Sequence, residues 1–252
     1  MVKPRARWHW ALPLLAMSLP ARSAPTAAEL MEQFDRLLWG RTLQGQFEMV
    51  ITTPSWSRSL SMELWSQRPA RSFVRISAPA RDAGILSLRV GSEMWNYLPG
   101  IERTVKIPPS MMLQPWLGSD FTNDDMVKES SIVGDYVHRI AGERVEDGVE
   151  VVEIESLPKP DAAVVWGRLL TVVRKADGVP LNERFFDERG RLVRTLTYSM
   201  VRELGGRAIP TRWEMRPEGQ PGKSTTIVVK QASYDAPIAG EVFSLQNLSR
   251  RH

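Results

Sequence analysis

The residues best suited to chemistry lie close together near the middle of the chain. Asp120, Asp124 and Asp125, with Asn123 beside them, offer hard oxygen donors of the kind that hold Ca2+. Their spacing does not match the EF-hand loop. A structural reading competes with the metal reading. Thr122 followed by Asp125 fits the N-cap of a short helix through Glu129, and acids in a first helical turn are favoured by the helix dipole. Beyond this cluster the inventory is thin. The chain has no Cys and only 3 His, which argues against a thiolate or His-rich metal centre. His138 sits in the alternating run Tyr136-Val137-His138-Arg139-Ile140 and reads as a strand residue. There is no Gly-x-Ser-x-Gly elbow and no glycine-rich phosphate cradle. We therefore expect no catalytic residue and no cofactor. The enzyme alternative is a divalent cation held by Asp120, Asp124 and Asp125.

The elements around that cluster say more. Lys3, Arg5 and Arg7 precede an apolar run from Trp10 to Leu19, closed by Pro20 and followed by Ala21-Arg22-Ser23. This predicts a secretory signal over residues 1–23, cut after Ser23, and hence a periplasmic protein of residues 24–252. The apolar run is too short to span a bilayer. The whole chain carries 33 Lys+Arg against 29 Asp+Glu, but four of the basic residues, and no acid, lie in residues 1–23. The remainder is formally neutral, so bulk charge gives no reason to bind nucleic acid.

After the signal, Thr26 and Glu29 form a capping box. Leu30, Phe34, Leu37 and Leu38 recur at helical spacing, with Met31 flanking them, until Gly40 stops the helix. From Gly45 onward the period becomes two. Short alternating runs are separated by Asp147-Gly148, Asp177-Gly178, Arg189-Gly190 and Gly205-Gly206, which accept the positive φ of tight hairpins. The pattern predicts an antiparallel meander of about eleven strands in one domain. Such a sheet has an apolar face too broad for one helix to cover. It must fold into a sandwich or curl into a barrel around helices or a ligand.

Strand parity groups the candidate lining of that interior: Phe47, Met49 and Ile51; Leu60, Met62 and Leu64; Trp95 and Tyr97; Leu196, Tyr198 and Met200; Trp213 and Met215. Parity fixes the shared face of a strand but not which way it points. The many methionines suit an irregular apolar concavity. Between the two runs of strands, residues 108–118 are apolar yet carry three prolines, so they form neither an inner strand nor a long helix. Exposed, this stretch would be a sticky patch. We read Met111, Met112 and Trp116, with Leu30, Phe34 and Leu37 of the helix, as a lid or plug. A membrane or partner contact is the other reading of the insert.

Two strings carry a family resemblance. Trp95-Asn96-Tyr97-Leu98-Pro99 and Gly118-Ser119-Asp120-Phe121-Thr122-Asn123-Asp124-Asp125-Met126 resemble the outer-membrane lipoprotein-sorting protein family of the LolA/LolB-like superfamily, as does the ending Val242-Phe243-Ser244-Leu245 with Asn247-Leu248. The resemblance implies a mainly β fold with few helices: one strongly curved, unclosed antiparallel sheet with helices in its concavity. It implies a carrier of lipid or lipoprotein acyl chains, a lipid-handling chaperone of the periplasm, and company with an inner-membrane RND-type exporter. It also implies a lid-closing arginine, for which no single Arg of this sequence stands out. The acidic string is a departure from the better-known carriers. A non-catalytic envelope adaptor with a filled core is the remaining alternative.

Overall fold

A computed structural model describes residues 24–128, 132–162 and 164–248. The signal segment 1–23 and its cleavage site lie outside the described residues, as does His252. Helix α1 (Ala27–Trp39) begins where the capping box predicts. Thr26 Oγ1 accepts from Glu29 N at 3.2 Å while Glu29 Oε2 accepts from Thr26 N at 2.7 Å. Gly40, at φ 59°, ends the helix. Leu30, Met31, Phe34 and Leu38 are buried on one face, each contributing roughly 1.5–3 kcal/mol of hydrophobic stabilisation.

Thirteen strands follow, in one antiparallel sheet. They are β1 (Thr42–Thr52), β2 (Ser57–Gln67), β3 (Arg71–Ala78), β4 (Leu86–Val90), β5 (Glu93–Leu98), β6 (Arg103–Lys106), β7 (Tyr136–Glu146), β8 (Val149–Pro158), β9 (Arg168–Arg174), β10 (Pro180–Phe186), β11 (Leu192–Leu204), β12 (Arg207–Pro217) and β13 (Ser224–Tyr234). The count is two more than the expected eleven or so. The order is β6-β5-β4-β3-β2-β1-β13-β12-β11-β10-β9-β8-β7. Two meanders thus meet at the β1–β13 seam, and β6 and β7 are the two outer edges. The hairpins are set by positive φ where expected, as at Asp147 and Gly148 (49° and 79°) and Gly205 and Gly206 (57° and 75°).

The sheet is neither a sandwich nor a closed barrel. Its inner face carries the main core, in which Phe47, Met49, Met62, Val74, Tyr198 and Trp213 belong to one cluster with α1. The outer face has a second, small core. Phe73, Leu86 and Leu88 pack there against Phe243 and Leu248 of the C-terminal segment, which ends in a 3-10 turn (Gly240–Phe243) and α4 (Leu245–Leu248).

The 29 residues between the edge strands form the insertion. It contains 3-10 turns at Pro109–Met111 and Trp116–Gly118, then α2 (Asn123–Lys128) and α3 (Ile132–Asp135). Thr122 and Asp125 cap α2 as predicted, with Asp125 N donating to Thr122 Oγ1 at 3.1 Å and Thr122 N to Asp125 Oδ2 at 2.7 Å. Residues 129–131, where the helix was expected to end, lie outside the described residues.

Candidate functional site

Between the sheet, α1 and the insertion lie two adjoining cavities. The first encloses about 760 Å3, open mouth included, and lies against β9–β12, with Phe34 and Trp39 of α1 and Phe121 of the insertion completing it. The second encloses about 860 Å3 on the same measure and runs under β1–β4 and β11–β13. Trp39, Phe121, Asp125, Leu196 and Tyr198 belong to both, so they form the partition. Residues from seven successive strands, Arg89 of β4 to Leu196 of β11, reach the second cavity. Laid flat, those strands would span about 29 Å, so only a strongly curled sheet brings them to one chamber.

The predicted lining divides into three groups. Phe47, Met49, Met62, Leu64 and Trp213 line the second cavity, Met215 lines the first, and Leu196 and Tyr198 line both. Ile51 and Leu60 point the same way but are wholly buried in the core and reach neither cavity. Trp95 and Tyr97 face the other side. The register Ser87–Asn96 and Arg89–Met94 puts Met94 and Asn96 inside, so Trp95 and Tyr97 pack with the outer core under the C-terminal segment. Met200 is displaced as well. Between the pairs Ser199–Arg212 and Val201–Pro210 its φ is 56°, and its side chain is 59% exposed.

The predicted cover is equally mixed. Phe34 lines the first cavity, Leu30 is buried beside it, and Leu37 and Met112 are partly buried against the main core. Trp116 is fully buried in the wall of the second cavity and donates from Nε1 to Ser87 Oγ at 3.2 Å. Met111 and Leu113 are exposed.

The acidic string staples the insertion to the sheet. Asp120 has a buried side chain, only 2% exposed. It accepts from Thr225 Oγ1 at 2.7 Å and lies 3.2 Å from Lys223 Nζ, while its N–H donates to Thr225 Oγ1 at 2.9 Å. Asp125 takes a two-pronged hydrogen bond from Arg194 of β11, whose Nη1 lies 2.6 Å from Oδ2. Arg194 Nη1 also donates to Asp120 O at 3.2 Å. Arg58 Nη2 donates to Leu117 O at 2.7 Å. Within the loop, Asn123 N donates to Gln114 O and Asp124 N to Met112 O, at 3.0 and 2.7 Å. The Asp120 and Asp125 carboxylates thus serve different partners. Among the described residues no group of three or more His, Cys, Asp or Glu is placed to hold a metal ion.

Arg194 is the feature that sequence reasoning missed. Its side chain is 5% exposed, and its guanidinium lies 4.4 Å from the Trp166 ring centre and 4.5 Å from that of Phe185. Glu183, Asp35 and Arg68 were missed too. Glu183 is fully buried, accepting from Tyr198 Oη at 2.7 Å and from Thr171 Oγ1 at 3.4 Å. Burial pushes its pKa up against the lowering effect of those hydrogen bonds. Asp35 of α1 pairs with Arg68 beside the second cavity. Burial raises its pKa too, outweighing the attraction of Arg68. The signal was present: Arg194 and Glu183 fall on the inward parity of apolar strands, in line with Leu196 and Phe185. A charge in an apolar row is rare unless it has a partner. His138 is a cross-strand neighbour of Ser156, its Nδ1 2.8 Å from Ser156 Oγ.

Residues 69–250 match a protein family described as "Uncharacterized protein". No curated protein matches the sequence. Solved structures of the same fold include a DUF1329 family protein from Desulfovibrio piger, with 22% identity, 88% of this chain and 97% of that one covered, and a TM-score of 0.79. A putative outer membrane lipoprotein-sorting protein domain from Vibrio parahaemolyticus gives 20% identity, 89% and 98% coverage and a TM-score of 0.77. A LolA superfamily protein from Nitrosomonas europaea gives 19%, 89% and 100%, and 0.76. At these identities the likeness concerns the fold, and the fold is the unclosed sheet described above.

Proposed function

We propose that this chain, which belongs to the family of uncharacterized proteins matched over residues 69–250 and has the LolA-type fold, is a non-catalytic carrier of acyl chains. The observation that carries this reading is the pair of apolar cavities beneath a cover fastened by separable polar links. The walls are the flexible and aromatic side chains that fit a hydrocarbon of variable shape.

In the empty state Phe34, Phe121 and Trp116 occupy space that a chain could fill. Arg194 holds Asp125 and so holds the insertion inward. An entering acyl chain replaces the contacts of the cover. Burying each methylene contributes about 0.8 kcal/mol, so a long chain outweighs the loss of a few cover contacts while net affinity stays moderate. Loading and release then follow from a shift between covered and open states, with no need for ATP.

The setting belongs to the same proposal. An export signal at residues 1–23 would deliver the carrier to the periplasm, where it would take a lipid or lipoprotein from the inner membrane, with an RND-type exporter as donor or acceptor. Among the described residues no helix is long and apolar enough to cross a membrane. Native mass spectrometry of protein purified from the cell envelope tests the reading. Bound lipid mass is expected on the wild type and none on Trp213→Glu or Met62→Glu. A lipid-free wild type, or lipid retained in both variants, rejects it.

A further inference from the structure

The cover and the wall beneath it carry opposite charge. The wall presents Arg58, Arg68 and Arg194, while α1 and the insertion present Asp35, Asp120 and Asp125. Asp35 pairs with Arg68, Asp125 with Arg194, and Arg58 donates to Leu117 O. Lifting the cover therefore strips a buried guanidinium of its counter-ion beside an apolar chamber. A buried charge left unpaired is strongly unfavourable. A neutral hydrocarbon does nothing to relieve that penalty, whereas a ligand that brings its own anion does.

Arg194 is where this is sharpest. It packs against both Trp166 and Phe185 in the wall of the first cavity, and its buried Nε–H has no hydrogen-bond acceptor. A guanidinium fork with a spare donor suits a carboxylate or a phosphate, which can accept from several N–H groups at once. Glu183, on the neighbouring strand β10, lines the same cavity. That carboxyl is engaged by Tyr198 and Thr171, and its burial favours the uncharged form, which limits repulsion of an incoming anion.

From this ion pair and the cavity it overlooks, we infer that the ligand is an anionic amphiphile, whose carboxylate or phosphate head takes Arg194 from Asp125 while its chain fills the cavity. The inference rests on the carrier reading and adds the chemistry of the head group. Asp125 is then a built-in competitor: it stands in for the ligand when the site is empty and frees the insertion when displaced.

The test uses purified, delipidated protein and two fluorescent probes with the same chain, cis-parinaric acid and its methyl ester. The acid is expected to bind at least tenfold tighter than the ester. Arg194→Gln brings the ratio to about one. Asp125→Asn, which removes the competitor but keeps the arginine, tightens the acid more than the ester. Equal binding of both probes to the wild type overturns the inference and leaves the carrier reading standing. Binding of neither probe rejects both. Equal tightening of the two probes in Asp125→Asn also overturns it, because Asp125 would then be a fastening alone. Displacement of bound acid by oleate or lysophosphatidic acid, but not by monoolein, supports it and separates carboxylate from phosphate heads. Equal displacement by monoolein counts against it.

Discussion

Two pieces of chain cover the concave face, and they are held in different ways. Helix α1 is held by grease. Leu30, Met31, Phe34 and Leu38 are buried, and its polar ties are few: Asp35 to Arg68, Gln33 Nε2 to Asp177 O at 3.0 Å, and Arg207 to the Arg36 carbonyl. The insertion is held by polar links at almost every turn, through Asp120, Asp125, Leu117 O and Trp116 Nε1, while Met111 and Leu113 face outward. Hydrophobic burial has no substitute that a small ligand can supply all at once. A hydrogen bond or ion pair can be taken over by a ligand group that offers the same donors or acceptors. On the proposed carrier reading, α1 stays with the core and the insertion, despite its buried Trp116 and Phe121, is the part expected to move.

The largest expected effect breaks the greasy side. Leu38→Ala should lower stability by about 2–5 kcal/mol, the range for truncating a buried leucine, and should move the urea midpoint of the whole sheet. An unchanged midpoint would make α1 detachable and reverse the comparison. Next comes the ionic side. Asp125→Asn should favour opening of the insertion by roughly 1.5–3 kcal/mol, the usual worth of a hydrogen bond to a charged group. Hydrogen exchange should accelerate over residues 111–125 and not over 27–39. Equal acceleration in both would mean the two covers move as one.

A pH series sharpens the contrast beneath the insertion. Glu183 has a folded-state pKa above its ordinary 4.5, so its contribution to stability is fully present below 4.5 and is lost as pH rises through the folded value. Glu183→Gln should therefore gain stability relative to wild type across that window and hold the gain at higher pH. A constant difference between the two proteins from pH 4 to pH 8 would show that the carboxyl does not titrate as described. The smallest effect is a control on α1: Glu32→Gln removes the exposed pair with Arg36, 3.2 Å apart, and should change stability by no more than about 0.5 kcal/mol.

What the sequence revealed follows the same divide. The capping box at Thr26 and Glu29, the helical stripe of α1 and the hairpin turns are local, set by residues three or four apart, and all are found where the pattern puts them. The curled, unclosed sheet came from the resemblance, since alternation alone allows sandwich or barrel. Direction was the weak point. Trp95 and Tyr97 look like interior residues, and nothing in their own strand tells that Phe243 and Leu248, nearly 150 residues later, provide a second apolar shelter outside. Met200 breaks parity through a single positive φ. The Arg194–Asp125 contact joins residues 69 apart, beyond the reach of any periodicity. The acid string read as a candidate metal cluster because its cations are scattered over β2, β11 and the approach to β13.

The two edges of the sheet, β6 and β7, are joined covalently by the insertion itself, the piece that lies over the hollow. In the proposed carrier it would work as a drawstring. Any motion that lifts it tugs on both rims of the gap, so uncovering the hollow and widening its entrance are mechanically one event.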